Sequence, residues 1–128
     1  MTEIEIVKAY MNIPPVRRKE LMKHLKTIDE LQASSTILRY VSEMNVVIGC
    51  PIDVHSREQI FIDARMVLSY VLTKKGYSNR QIGEVLMKDH STINHLKQTM
   101  SFDVEHKFKT SAMLLLEQFE NRLKEYGI

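Results

Sequence analysis

Four S/T-x-x-E/Q boxes recur along the chain, pairing Thr2 with Glu5, Thr27 with Glu30, Ser56 with Gln59 and Ser78 with Gln81. In each box a hydroxyl can accept from an orphan backbone N–H while the longer side chain reaches back, which marks a helix start. Only four glycines and three prolines occur in 128 residues, too few for the many turns of a sandwich or a barrel. The expectation is an all-α fold, a helical bundle. The length suits one domain with a short appendage and allows a self-sufficient core.

Apolar spacing sketches the helices. Pro14-Pro15 closes a first short helix and opens a second through Leu21, Met22 and Leu25, and a third includes Ile37, Leu38, Tyr40, Val41 and Met44. Residues Asn45 to His55, which hold Gly49 and Pro51, break the period and read as a partly buried connection with room for a short strand. From Ser56, the residues Ile60, Ala64, Val67, Leu68, Val71 and Leu72 form one stripe of a long central helix that Gly76 ends as a left-handed cap. Two shorter helices follow, Asn79 to Leu86 and His90 to about Met100, and after Ser101-Phe102-Asp103 a last helix carries Phe108, Ala112, Leu115, Phe119, Leu123 and Tyr126 on one face. Met22, Met44, Met66, Met100 and Met113 fall at helical positions and are expected to fill core.

Several chemistries lack their residues. No segment has the glycine spacing of a phosphate-cradling loop, and the acidic residues Asp63, Glu84 and Asp89 show no paired-carboxylate or nuclease pattern, so no enzyme activity and no cofactor is expected. The single cysteine, Cys50, permits neither an intramolecular disulfide nor a multi-cysteine metal site, and its apolar neighbours suggest a buried, inert thiol. No apolar run is long enough to span a bilayer, and the N-terminus does not resemble a signal peptide; the expectation is a soluble, cytoplasmic protein with no membrane partner.

The net charge of +2 conceals an uneven distribution. Residues 1–56 carry seven basic and seven acidic groups, residues 57–100 seven and four, and residues 101–128 four and five, which places the excess in the middle segment. That segment includes YSNRQIGEVLMKDHSTINHLKQTM. There, Ile82, Leu86, Ile93 and Leu96 face inward, and Gly83 lets two short helices cross closely over a three-residue joint, the geometry of a helix-turn-helix. In such a motif the second helix offers its N-terminal turn to the major groove of double-stranded DNA. Lys88, Asp89, His90, Ser91, Thr92, Asn94, His95 and Lys97 would then be presented, side chains suited to base edges and phosphates. Ser78, Arg80 and Gln81, at the start of the first helix, are candidates for backbone contact.

The run Asp89-His90-Ser91-Thr92-Ile93-x-His95, with Ile82-Gly83 and Asp63-Ala64-Arg65 before it, resembles the C-terminal duplex-binding domain of the DnaA bacterial replication initiators, a Trp-repressor-like helical fold. The resemblance spans roughly residues 34 to 125 and implies an N-terminal helical extension over 1–33 and a DNA-binding domain over 34–128. It implies that Arg57 enters the minor groove, that Arg65 touches the phosphate backbone, that Asp89, His90 and Ser91 read bases, and that Thr92 and His95 adjoin them. The family's glycine-containing turn is replaced by Leu86-Met87-Lys88, Met66 stands where glutamine is common, and the ATPase module is missing. The resemblance therefore suggests a free-standing, sequence-specific DNA-binding protein for replication or transcription control in a bacterium, phage or mobile element.

Each of these residues also has a plainer reading. Asp89 can serve only as an N-cap, Arg65 can pair with Asp63 or Glu58, and Arg57 can be a solvated first-turn residue. His90 and His95 are five apart and off one helical face, so no metal site is expected. The rival function is a non-catalytic adaptor that keeps the fold and binds protein. Either the C-terminal stripe or the N-terminal helices could then serve as a homodimer seam.

Overall fold

The computed structural model describes residues 15–128, with side chains from Lys19 onward. The Thr2–Glu5 box, Pro14 and the first short helix lie outside the described residues. The described residues form five α-helices and no strand, an all-helical protein. They are α1 (Pro15–Ile48), α2 (Gln59–Lys74), α3 (Asn79–Leu86), α4 (His90–Glu105) and α5 (Ser111–Glu125). The chain divides into two compact units, Met1–Gln32 and Ala33–Ile128.

In the first unit, the described part of α1 is mostly exposed, including Met22, Leu25, Ile28 and Leu31. Met22 is 53% exposed, contrary to its expected core role, because no described residue covers that face.

One helix, not two, spans the residues from Pro15 to Ile48. Between Pro15 and Gly49 there is neither glycine nor proline to stop it. The Thr27 hydroxyl, expected to cap a new helix, instead donates to the Lys23 carbonyl at 3.0 Å, one turn back. Such i−4 bonding leaves a threonine inside a helix rather than at its start. For the same reason Asn45 to Ile48 are helical and hold no strand; the helix stops at Gly49, whose φ is +81°. The Asn45 Oδ1 then accepts from the Ile52 N–H at 2.9 Å and folds the following loop so that Ile52 packs on the core. Cys50, two residues earlier, is left exposed, which corrects its expected burial.

The second unit is built around α2, which packs on α3, α4 and α5. Ala64, Val67, Leu68, Val71 and Leu72 are buried as the spacing predicts, whereas Ile60, in the first turn, remains 41% exposed. The core is completed by Ile37, Tyr40 and Met44 from α1, Ile82 and Leu86 from α3, Ile93 and Met100 from α4, and Ala112, Leu115, Phe119 and Leu123 from α5. Glu43 and Arg122 form an ion pair between α1 and α5, and the Arg122 guanidinium also lies over the Tyr126 ring.

Three helix ends use the same closing device; after α5 the Gly127 N–H donates to Lys124 and the Ile128 N–H to Leu123, with Gly127 at φ +67°. After α2, the Gly76 N–H donates to Thr73 and the Tyr77 N–H to Leu72, with Gly76 at φ +100°, a Schellman motif. After α4, the Lys107 N–H donates to Val104 and the Phe108 N–H to Asp103 in the same pattern. Here Lys107 holds the left-handed position at φ +53°, a conformation that costs a side-chain-bearing residue about 1 kcal/mol. Because that closure comes late, α4 runs through Ser101-Phe102-Asp103, where the sequence suggests a break, and ends at Glu105. Phe108 consequently sits in the α4–α5 loop rather than on the α5 stripe.

Candidate nucleic-acid interface

The α3–α4 pair is assembled by local rules. Ser78 caps α3 with a complete capping box: its Oγ accepts from the Gln81 N–H at 3.2 Å, and the Gln81 Oε1 accepts from the Ser78 N–H at 2.9 Å. Both side chains are thereby committed to the helix start. The Ser56–Gln59 box is not formed; the Ser56 Oγ accepts from the Glu58 N–H, and Gln59 turns inward to donate to Asp63. That helix starts two residues later than expected, with Glu58 at the N-cap.

Leu86 leads directly into a three-residue joint, Met87-Lys88-Asp89. A joint this short without glycine forces some residue into the left-handed region, and Met87 takes it at φ +57°. The Lys88 N–H then donates to the Gly83 carbonyl at 2.9 Å, closing the turn onto α3. A Cβ on Gly83 would overlap the Lys88 carbonyl oxygen and touch Ile93 Cγ1 at 3.5 Å. The glycine therefore serves the turn as much as the helix crossing.

Asp89 is the N-cap of α4. Its Oδ1 accepts from both the Thr92 N–H and the Ser91 hydroxyl, each at 2.8 Å. The Thr92 backbone N–H first, and the Ser91 hydroxyl next, hold the carboxyl down to about 2, from an ordinary 3.8. A depressed carboxyl pKa stabilises the fold at pH values above the unfolded pKa and ceases to do so as the pH falls through the folded one. Asp89→Ala is expected to lower the Tm by about 4 °C at pH 7. The gap between wild type and variant should close between about pH 4 and pH 2 in thermal melts. A gap that persists at pH 2 would show that the cap does not act through the carboxylate.

Around this cap the first turns of α4 are polar and open. His90, Ser91 and His95 are exposed, Lys88, Thr92, Asn94 and Lys97 are half-buried, and Ile93 and Met100 bury the opposite face completely. Arg80 stands across the joint: with Gly83, Glu84, Met87, Lys88 and His90 it lines a shallow hollow at the turn. The Arg80 guanidinium also pairs with Glu84 at 3.4 Å, a highly exposed i,i+4 pair of small energetic weight. Met87, 66% exposed at the tip of the joint, was not among the expected site residues. The glycine-free joint was the signal that could have found it.

The two arginines from the earlier segment are placed differently from one another. Arg57 is exposed in the loop before α2. Arg65, nearly two turns into that helix, is only 8% exposed, and its Nη1 donates to the Asp53 carbonyl at 3.1 Å. Burial lowers its pKa, and the Asp53 charge opposes that shift in part. Arg65 therefore does not stand beside Arg57 at the surface but ties down, from within, the loop that carries it. Neither Asp63 nor Glu58 pairs with it; Asp63 takes its hydrogen bond from Gln59.

Among the described residues no group of three or more His, Cys, Asp or Glu side chains is placed to hold a metal ion, and no helix is long and apolar enough to cross a membrane. No protein-family model, curated protein or solved structure matches this chain.

Proposed function

We propose that the chain is a sequence-specific double-stranded DNA-binding protein, with α3 and α4 as a DnaA-like helix-turn-helix and α4 as the helix that enters the major groove. The observation that carries this reading is the division of α4. Its Ile93 and Met100 are fully buried against the core, while its first two turns present His90, Ser91 and His95 to solvent on a backbone held by Asp89 and Gly83. A rigid, polar, groove-sized helix start is what base reading requires.

In this mechanism the phosphates supply affinity and the base edges supply choice. Lys88, Arg80 and Lys97 are the cations nearest the joint, and Arg57 reaches the neighbouring minor groove from its tethered loop. His90, Asn94 and His95 offer donors and acceptors to base edges. Asp89 Oδ1 is occupied by the cap, so only its Oδ2 is open to a cytosine amino group.

Fluorescence anisotropy with a random-library duplex at several salt concentrations tests the proposal. With about five phosphates neutralised, the log-log slope should lie near −4 to −5. The double variant His90→Ala, Ser91→Ala should keep that slope but lose about tenfold or more in preference between sequences for each lost base contact. An adaptor would show no duplex binding at low salt and would keep its protein partner in the double variant.

A further inference from the structure

We infer that the C-terminal end of α4 and the loop after it form a second nucleic-acid site, a stacking platform for single-stranded DNA. Three rings gather there: the His106 ring lies 4.0 Å from that of Phe102 and 5.5 Å from that of Phe108, and the two phenylalanines are 5.8 Å apart. Phe102 is 52% exposed and Phe108 46% exposed, so the cluster stands in solvent rather than in the core. Cations alternate with the rings along the chain as His106-Lys107-Phe108-Lys109. Lys107 and Lys109 make no ion pair among the described residues, and with Lys74 they line a groove of about 870 Å³ that Phe108 also borders. Glu117 and Glu120 also line this groove, and the Lys74 ammonium lies over the Tyr70 ring. Lys107 and Lys109 flank Phe108 in the chain with positive charge that no carboxylate among the described residues pairs.

Half-exposed rings flanked by unpaired lysines fit a chain that alternates flat bases with phosphates, because every base has a π-face whatever the sequence. Lys107 holds the left-handed position after α4 that Gly76 holds after α2.

Position then defines which DNA the platform meets. Ser91, His95, Gln98, Phe102 and His106 recur at intervals of three and four, one stripe of α4. Phe102 lies eleven residues beyond Ser91, about 16 Å along the axis. The major groove is about 12 Å wide, so with the N-terminal turn inside it the rings stand past the groove edge, where an unpaired flanking strand would pass. That placement rests on the duplex reading, whereas the platform itself does not.

The full chain should be titrated against a labelled 12-nucleotide oligothymidine in low salt. Binding is expected, with Phe102→Leu or Phe108→Leu weakening it about tenfold and Phe102→Tyr restoring it, since leucine keeps the apolar bulk and loses only the ring. Lys107→Gly should lower the salt slope by about 0.7. The His90→Ala, Ser91→Ala variant should bind oligothymidine as wild type does, so the platform can stand even if the duplex reading fails. Absence of oligothymidine binding, or leucine variants that bind equally well, would overturn it. So would a change of oligomeric state in sedimentation on Phe102→Leu, which would assign the patch to a second copy of the chain.

Discussion

Gly83→Ala is expected to destabilise the protein by about 2–3 kcal/mol, lowering the Tm by about 10 °C, although alanine is the better helix former. Intrinsic propensity alone would favour the variant by about 1 kcal/mol. The added methyl, however, meets the Lys88 carbonyl oxygen, which belongs to the backbone of the joint and is held there by the bond from its own N–H to the Gly83 carbonyl. A side chain could rotate away, but this oxygen can yield only if the whole turn opens. Opening it would displace Asp89 and with it the start of α4. If α4 reads duplex DNA as proposed, binding should therefore fall even at temperatures where the variant is folded. Paired thermal melts and anisotropy titrations would check this; a variant with unchanged or raised Tm would show that the turn is not held as described.

Ile93→Ala should cost about 3 kcal/mol, within the range for large-to-small changes at fully buried positions. Ile93 is completely buried, lies one turn after the Asp89 cap and contacts the face that Gly83 leaves bare. Its removal leaves a cavity beneath the exposed turn that carries His90 and Ser91. Ile82, Leu86 and Leu68 of the same core are themselves fully buried, so little collapse can offset the loss. Chemical denaturation should show a lower midpoint with an unchanged slope. Ile93→Val, which removes one methylene, should cost only about 1 kcal/mol. A loss for alanine no larger than for valine would contradict the burial.

Much of the α3–α4 region was legible in the sequence because its signals are local and agree with one another. The Ser78–Gln81 box, the inward spacing of Ile82, Leu86 and Ile93, and an aspartate before a polar first turn each indicate the same boundaries, and α3 runs from Asn79 to Leu86 as expected. What was not legible depended on competition between alternatives of similar local appearance. The Thr27 hydroxyl can cap a helix or bond back within one, and only the uninterrupted backbone of α1 decides it. Arg65 has the sequence context of a surface cation, yet the loop from Gly49 to Glu58 folds over it, a consequence of distant packing. Phe108 continues the apolar spacing of α5, but the Schellman closure at Lys107 holds it in the preceding loop. The ring cluster was not legible either, because helical spacing shows that Phe102 and His106 share a stripe but not that the loop folds Phe108 back against them.

The tether from Arg65 to the Asp53 carbonyl acts together with two turns that the loop makes on itself. Asp53 Oδ1 accepts from the His55 and Ser56 N–H groups, and Ser56 Oγ from that of Glu58. Flexible arms lose conformational freedom when a partner immobilises them, and that loss subtracts from affinity. Here much of the ordering is completed on folding, so Arg57 is presented from a scaffold that has little entropy left to surrender. If Arg57 contacts DNA as proposed, cutting the tether would be felt as a looser complex with a faster off-rate, although Arg65 itself need never touch the DNA.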